Sequence, residues 1–196
     1  MIKNPVPWPN GAKCAAAITF DIDTDSAFHL AFGEQAGNKL GSMSELKYDE
    51  IAIPRILDMY GEFGLKQTFF YPGWCMEKYP HLVDMILKGG REIGAHGYLH
   101  ENPNDYSKDR EHYWLSRQIE IMAKMTGKRP RGWRAPLYNV SKNTVDLLVE
   151  EGIVYHASMM ADDVPYLLQG KKRKHIGASD ELVTRRLAPI HALDRL

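Results

Sequence analysis

The stretch CAAAITFDIDTD, residues 14–25, runs from an apolar segment into a cluster of acidic side chains. The segment Cys14–Phe20 is continuous and apolar, which is typical of a strand buried on both faces of a sheet. It ends in Asp21, Asp23 and Asp25. Because side chains alternate along an extended segment, Asp21 and Asp23 point to the same side. Two carboxylates this close repel each other unless a cation or a proton lies between them, so one could bind a metal while the other takes a proton. Taken alone, the cluster is more typical of a solvated turn.

Strand-like runs alternate with helical patterns along the chain. Four more strands are predicted, at 67–71, 92–95, 131–134 and 153–158. Helices are predicted between them from apolar residues at helical spacing, with Pro80 opening one and Ser107 and Ser141 as N-caps of two others. Pro54 is expected only in the first turn of its helix. The alternation predicts a parallel α/β fold, as a barrel or an open sheet.

Two regions do not follow the alternation. Residues 34–47 are polar and contain glycine, which predicts a loop. Residues 170–196 give no convincing strand signal, and we expect them not to supply further strands. The sequence therefore predicts one domain over residues 1–196, interpretable to about residue 169, with a divergent or truncated tail.

Composition narrows the classes of function. The chain has 196 residues, of which 44% are hydrophobic, and 25 basic residues balance 25 acidic ones. Because the charges balance, no net electrostatic field would attract nucleic acid or an anionic membrane. The run Lys171–Lys174 is expected to be solvated. Cys14 and Cys75 are expected to be buried free thiols. With no signal-peptide pattern and no run of about 20 apolar residues, a soluble protein of the reducing cytoplasm is the default expectation.

Two further clusters lie at predicted strand ends, where parallel α/β folds place their functional sites. His96 and His100 are four residues apart, so they share one face of a helical turn and could bind one ion. With Asp23 they would form a facial site of two histidines and one carboxylate. Arg134, followed by Ala135-Pro136-Leu137-Tyr138, could pair with an ionised Asp21 and hold it in place. Each of these residues alone could be an ordinary surface residue, and only their combination indicates a functional site.

The three clusters resemble, in the same order, the first three motifs of the polysaccharide deacetylases, the NodB-homology or carbohydrate esterase 4 group. The resemblance extends from about Ala15 to Tyr166. Two stretches, Thr68–Trp74 and Met160–Tyr166, are similar to the intracellular branch that holds allantoinase-like, cyclic-imidase-like and peptidoglycan-deacetylase-like members. The resemblance implies a distorted seven-stranded (β/α) barrel, here incomplete at the C-terminus, and hydrolysis of a non-peptide carbon–nitrogen bond.

The resemblance also implies roles for individual residues. Asp21 would be the base and Arg134 its orienting partner. One divalent metal, with zinc as the first expectation, would be bound by Asp23, His96 and His100. Substrate contacts are expected at a third set of residues: Trp74, Glu101 and Tyr138. The family's first motif usually has two successive aspartates, whereas Ile22 separates them here, which leaves the division of roles between the two carboxylates open. The C-terminal histidine that serves the family as general acid has no convincing counterpart, since His175 and His191 lack the surrounding pattern.

These features predict a metal-dependent amide hydrolase in which the metal acidifies a water and Asp21 removes its proton. The expected substrate is a sugar amide or another small amide, and the expected assembly is a homo-oligomer without nucleic-acid or membrane partners. Two alternatives stay open: a metal-independent allantoinase-like or cyclic imide hydrolase, and a truncated domain that is not catalytic. Sequence alone does not choose among N-acetyl sugars, allantoin and cyclic imides, because specificity depends on loop shape.

Overall fold

Five parallel strands form the main sheet of the computed structural model, which describes residues 8, 11–43, 48–161, 165–170 and 175–177. The strands are β1 (Thr19–Asp21), β2 (Thr68–Tyr71), β3 (Glu92–Ala95), β4 (Gly132–Trp133) and β5 (Tyr155–His156). Their order in the sheet follows the chain, β1-β2-β3-β4-β5, and each neighbouring pair is parallel. Sequential parallel strands with helical crossovers are the arrangement found in the wall of a (β/α) barrel. The predicted α/β fold is confirmed.

Helices lie between the strands along the chain. They are α1 (Ser26–Phe32), α2 (Ala36–Met43), α3 (Tyr48–Glu62), α4 (Gly73–Lys78), α5 (Pro80–Lys88), α6 (Lys108–Thr126) and α7 (Thr144–Glu150). At α6, the Ser107 hydroxyl accepts a hydrogen bond from the Arg110 N–H, as predicted, and Gly127 ends the helix in the left-handed conformation. Within the described ranges, no helix combines the length and the apolar composition needed to cross a bilayer.

Two local predictions near the N-terminus are wrong. The predicted loop at 34–47 contains helix α2 up to Met43, because Ala36 and Leu40 lie one turn apart and are both fully buried. Helix α3 begins at Tyr48, which places Pro54 inside the helix instead of in its first turn. An interior proline removes one backbone hydrogen bond, and the burial of the neighbouring Ile53 helps to offset that loss.

Two further predictions are corrected at strand and helix ends. The strand predicted from Cys14 is confined to Thr19–Asp21, and Cys14 is exposed, whereas Cys75 is buried as expected. Helix α7 is not capped by Ser141. The Ser141 hydroxyl instead accepts from the Asn143 N–H and donates to Glu111 on α6, so it ties two helices together.

The C-terminal segment contributes a strand that the sequence did not indicate. Leu167–Gln169 (β6) and His175–Gly177 (β7) form a separate antiparallel two-stranded sheet. β7 pairs with β6 and not with the five-stranded sheet, and the expectation that the tail adds no strand to that sheet stays a prediction. Residues 178–196, including His191, lie outside the described residues.

The two faces of the main sheet pack differently. Outward-facing side chains of β2, β3 and β4, such as Phe69, Ile93 and Trp133, belong to the hydrophobic core beneath the helices. On the inward face, the rings of Phe70 and Tyr155 meet edge to face, with centroids 6.4 Å apart. Glycines at 94 and 132 leave room for these rings: a Cβ at Gly94 would lie 2.6 Å from the Phe70 ring, and one at Gly132 would lie 2.0 Å from the Tyr155 ring.

Gly132→Ala is therefore expected to destabilise the protein, because the added methyl overlaps the Tyr155 ring in a packed interior. Overpacking of this kind costs about 1–3 kcal/mol in the free energy of unfolding. The measurement is urea denaturation followed by circular dichroism. Gly37→Ala is the matched control: it lies in helix α2 with nothing within 4 Å of its added Cβ, so no loss of stability is expected. Equal stability of Gly132→Ala and the wild type would contradict this packing.

A half-buried histidine on β5 is expected to make the fold less stable in acid. Burial lowers the pKa of His156 from 6.5 to about 4, and its Nε2 has no hydrogen-bond partner among the described residues. The unfolded chain therefore binds a proton at a higher pH than the folded chain, so His156 destabilises the fold progressively as pH falls from about 6.5 towards 4.

His156→Gln should flatten this part of the stability curve, where one titrating group contributes at most about 1.4 kcal/mol per pH unit. The measurement is the free energy of unfolding between pH 7 and pH 4, compared with that of the wild type. His81→Gln, at an exposed position on α5, serves as the control and should keep the wild-type slope. A His156→Gln curve with the wild-type slope would show that another group carries the acid sensitivity.

Candidate metal centre

The polar side chains predicted at strand ends meet at one end of the sheet. Asp21 closes β1, His96 follows β3 directly and Arg134 follows β4 directly. Ile22, between the two aspartates, is buried in the core on the helix side. The carboxyl ends of parallel strands in α/β folds are where side chains from different strands can converge on one ligand.

Asp23, His96 and His100 form a cluster that could hold a metal. One ligand atom from each side chain lies within 4.8 Å of the other two. Asp23 Oδ1 is 3.3 Å from His96 Nε2, and Asp23 Oδ2 is 3.4 Å from His100 Nε2. The two imidazole rings meet edge to face with centroids 5.2 Å apart. Both histidines are buried, whereas Asp23 is partly exposed, so the cluster opens to solvent on the carboxylate side.

The hydrogen bonding of His96 decides which of its nitrogens faces the cluster. Nδ1 lies 2.9 Å from the Arg134 carbonyl oxygen, and only a protonated nitrogen can donate to it. In the neutral ring, Nε2 therefore presents a lone pair towards Asp23 Oδ1. That oxygen is buried and has no hydrogen-bond partner among the described residues. A cation between the two atoms would satisfy both, which is the usual arrangement of a metal-binding histidine supported by a backbone carbonyl.

The opposite charges in the cluster shift the pKa values of Asp23 and His100. Burial would raise the pKa of Asp23, but the imidazoles of His100 and His96 beside it outweigh burial and lower it well below its usual range. Burial would lower the pKa of His100, yet the Asp23 carboxylate raises it. The Asp23 carboxylate therefore favours a positive charge beside it, and a divalent cation would supply one.

The loop that carries both histidines is held by Glu101. Its buried carboxylate accepts hydrogen bonds from the Tyr98 N–H at 2.9 Å and from the Leu99 N–H at 2.7 Å. The loop is tight, since Gly97 has φ 73° and its added Cβ would lie 2.8 Å from Pro136. His100 itself has φ 63°, a left-handed conformation that non-glycine residues rarely adopt. The expectation that Glu101 contacts substrate stays a prediction, and its oxygens are engaged by backbone N–H groups within the loop.

The backbone of Asp23 is fixed from two sides. Its carbonyl oxygen accepts hydrogen bonds from the Ser26 hydroxyl at 2.7 Å and from the Cys75 thiol at 3.2 Å. Burial raises the pKa of the Cys75 thiol to about 12, so this cysteine stays protonated and acts as a donor. Helix α4, which carries Cys75, also donates from its first N–H groups to the carbonyls of Gly97 and Tyr98. One short helix therefore anchors both loops that supply the cluster.

Arg134 is held in a defined orientation beside Asp21. Its Nη1 donates to Asp21 Oδ1 at 2.7 Å, its Nη2 donates to the Thr19 hydroxyl at 2.8 Å, and its Nε donates to the Ala157 carbonyl at 3.1 Å. The guanidinium carbon also lies 4.2 Å from the centre of the Phe70 ring. With its donors and its flat face in use, Arg134 is positioned to fix the Asp21 carboxylate.

The two aromatic residues expected to contact substrate lie in different surroundings. Tyr138 is 49% exposed, has φ 55°, and its ring centre lies 6.0 Å from the Arg134 guanidinium, so it stands at the rim beside Asp21 and Arg134. Trp74 is half-buried on α4, where its ring contacts His29 and Lys78. Trp74 was expected to contact substrate, but its ring contacts residues of α1 and of its own helix.

Sequence reasoning grouped Asp25 with the other acidic residues without giving it a role. The structure buries it and surrounds it with donors: Lys78 Nζ at 2.6 Å, the Tyr79 hydroxyl at 2.9 Å and His29 Nε2 at 3.2 Å. Burial would raise its pKa, but Lys78 and Tyr79 lower it. Asp25 thus fixes the loop after Asp23 against helices α1 and α4. In the sequence, the only signal for this role is the position of Asp25 in the alternating acidic run at residues 21–25.

Comparisons with known proteins agree with this geometry. The profile of the polysaccharide deacetylase family matches residues 36–156. A peptidoglycan deacetylase of Helicobacter pylori is 37% identical over 121 residues, which cover 61% of this chain and 41% of that protein. A peptidoglycan deacetylase-like protein of Gibberella zeae is 32% identical over 149 residues, covering 74% of this chain and 44% of that protein. The chain thus spans less than half the length of these two relatives.

Solved structures share the fold. A crystal structure assigned as a polysaccharide deacetylase from Mycobacterium smegmatis matches with a TM-score of 0.81 and 35% identity, covering 88% of this chain and 60% of that one. The structure of an allantoinase matches with a TM-score of 0.72 at 23% identity, which is a likeness of fold. The family profile covers more than half of the chain and includes His96, His100 and Arg134. This chain therefore belongs to the polysaccharide deacetylase family.

Proposed function

We propose that this chain is a metal-dependent hydrolase of non-peptide carbon–nitrogen bonds that removes acetyl groups from N-acetylated sugars. Asp23, His96 and His100 hold one divalent cation, Asp21 is the general base and Arg134 orients Asp21. The sugar substrate class is carried over from the relatives, which are described as peptidoglycan deacetylases. The roles of the site residues are those that the family resemblance implies, and the contacts between these residues support them.

The observation that carries the proposal is the buried contact between Asp23 and His96. Asp23 Oδ1 has no hydrogen-bond partner within the described part of the chain and lies 3.3 Å from His96 Nε2. In the neutral His96 ring the proton is on Nδ1, which faces the Arg134 carbonyl. Burying two acceptors against each other costs free energy unless a positive charge lies between them. Two imidazoles and one carboxylate suit zinc first, and iron, cobalt or nickel can also use this donor set. When bound, such a cation supplies Lewis-acid chemistry, since it acidifies water and polarises a carbonyl oxygen.

Asp21 lies beside this cluster without belonging to it. Its Oδ1 accepts a hydrogen bond from Arg134, which orients the carboxylate. An ionised, fixed carboxylate can remove a proton from the attacking water and return it to the leaving nitrogen. Tyr138, exposed at the rim next to Arg134, provides a ring against which a sugar can pack.

Removal of the metal is the direct test of this proposal. Protein purified without chelator should contain close to one divalent cation per chain by elemental analysis, and it should release acetate from chitooligosaccharides or from peptidoglycan fragments. Dialysis against a chelator should abolish acetate release, and addition of zinc should restore it, because the three ligands lose their charge partner and then regain it.

Two outcomes would contradict the proposal and favour an alternative. Hydrolysis of allantoin or of a cyclic imide that survives removal of the metal would indicate a metal-independent hydrolase. Stoichiometric metal without turnover of N-acetylated sugars, allantoin or cyclic imides would indicate a domain that binds but does not catalyse. The second outcome would leave the metal assignment standing and remove the catalytic one.

A further inference from the structure

A second polar cavity lies at the opposite end of the sheet from the metal centre. It has a volume of about 440 Å³ and is formed where β2, β3 and β4 begin. Lys66 precedes β2, Arg91 precedes β3 and Arg131 precedes β4. With a rise of about 3.3 Å per residue along a strand, the cavity is separated from the strand ends that carry Asp21 and His96 by roughly 10–15 Å. It is therefore distinct from the proposed active site.

The charge of this cavity is strongly unbalanced. The charged side chains that line it comprise five cations and one carboxylate: Lys66, Arg91, Lys128, Arg129, Arg131 and Glu92. The chain as a whole has 25 basic and 25 acidic residues, so the excess is local. Glu92 accepts a hydrogen bond from the Thr68 hydroxyl at 3.0 Å.

Most of these cations are not neutralised by carboxylates. Arg129 forms an ion pair with Glu151 at 2.6 Å. Arg91 is oriented by neutral groups instead: its Nε donates to Gln67 Oε1 at 2.8 Å, and its Nη1 donates to the Gly89 carbonyl at 2.6 Å. The side chains of Lys66, Lys128 and Arg131 make no ion pair or hydrogen bond with any other residue in the described part of the chain. Four cations thus line the cavity together with one carboxylate.

We propose that this cavity binds a phosphate group, either as free phosphate or as the phosphate of a small ester. Gathered cations repel one another, and a bound dianion would convert that repulsion into attraction. Guanidinium groups offer paired donors that match phosphate oxygens, and lysine adds a compact charge. The volume suits a small ligand, and a chain with no net charge lacks the extended basic field that long polyanions require.

The test is calorimetric titration of the full chain with inorganic phosphate at constant ionic strength. We expect saturable binding that weakens about ten-fold or more in Lys128→Gln and in Arg131→Gln, since a hydrogen bond to a charged group contributes about 1.5–3 kcal/mol. Lys142→Gln is the matched control, because this exposed lysine lies near α7 and outside the cavity. Raising the salt concentration should weaken binding in the wild type.

Glucose 6-phosphate provides the second arm of the experiment. Equal affinity for the ester and for inorganic phosphate would identify free phosphate as the ligand, and tighter binding of the ester would identify a phosphorylated metabolite; both outcomes support the site. Absence of saturable binding would overturn the proposal. So would binding that is unchanged in Lys128→Gln and Arg131→Gln but lost in Asp23→Asn, because the phosphate would then be bound at the metal centre.

Discussion

Asp21→Asn is expected to reduce turnover of an N-acetylated sugar by roughly 10²–10⁴-fold while the metal content stays unchanged. The carboxylate is the proposed base, and asparagine cannot accept the proton. The amide oxygen can still accept the Arg134 Nη1 hydrogen bond, which is 2.7 Å long in the wild type, so the local structure should persist. Acetate release and elemental analysis of the same preparation measure both quantities.

Asp84→Asn is the matched control, since Asp84 is exposed on α5, and it should keep wild-type turnover and metal content. The informative contrary result would be an exchange of roles. If Asp21→Asn lost its metal while Asp23→Asn remained active, the ligand would be Asp21 and the base would be Asp23. The assignment of base and ligand needs this test because Ile22 separates the two aspartates here, whereas the family's first motif usually has adjacent aspartates.

The strands and their order could be predicted because their signals are local. β2 and β3 are short apolar runs between helices with clear caps, and Glu92–Ala95 was predicted with its observed bounds. Chemistry-bearing residues at the ends of such strands must lie at one edge of a parallel sheet. For this reason Asp23, His96 and His100 could be named as one cluster before any geometry was known.

Other features depend on contacts that the sequence does not display. The Glu101 carboxylate looks like any polar residue after a histidine motif, and only the fold brings the Tyr98 and Leu99 N–H groups to it. The cavity that collects Lys66, Arg91 and Arg131 joins residues far apart in the chain, each of which alone is an ordinary surface charge. The expected cytoplasmic location and homo-oligomeric state stay predictions.

The burial of Cys14 was predicted from the apolar run that it begins, and this prediction is wrong. A continuous apolar run is expected inside a sheet, but only Thr19–Asp21 pairs with β2. β1 lies at the edge of the described sheet, so residues that precede its paired segment gain no second neighbour to cover them. Periodicity indicates which residues can be buried, and the tertiary neighbours decide which of them are.

His100→Gln is expected to lower metal affinity by more than ~100-fold and to abolish acetate release at limiting metal concentration. Glutamine has nearly the reach of histidine but lacks the imidazole nitrogen, which lies 3.4 Å from Asp23 Oδ2.

Glu101→Gln provides the comparison, since it keeps all metal ligands and weakens only the carboxylate that holds their loop. Loss of such a supporting residue typically costs about 10–100-fold in metal affinity. The measurement is competition for zinc with a chromophoric chelator, together with acetate release in excess zinc, which should rescue Glu101→Gln more completely than His100→Gln. Equal metal affinity in His100→Gln and the wild type would remove His100 from the ligand set. Undiminished hydrolysis by a variant that has lost its metal would show that the reaction needs no metal.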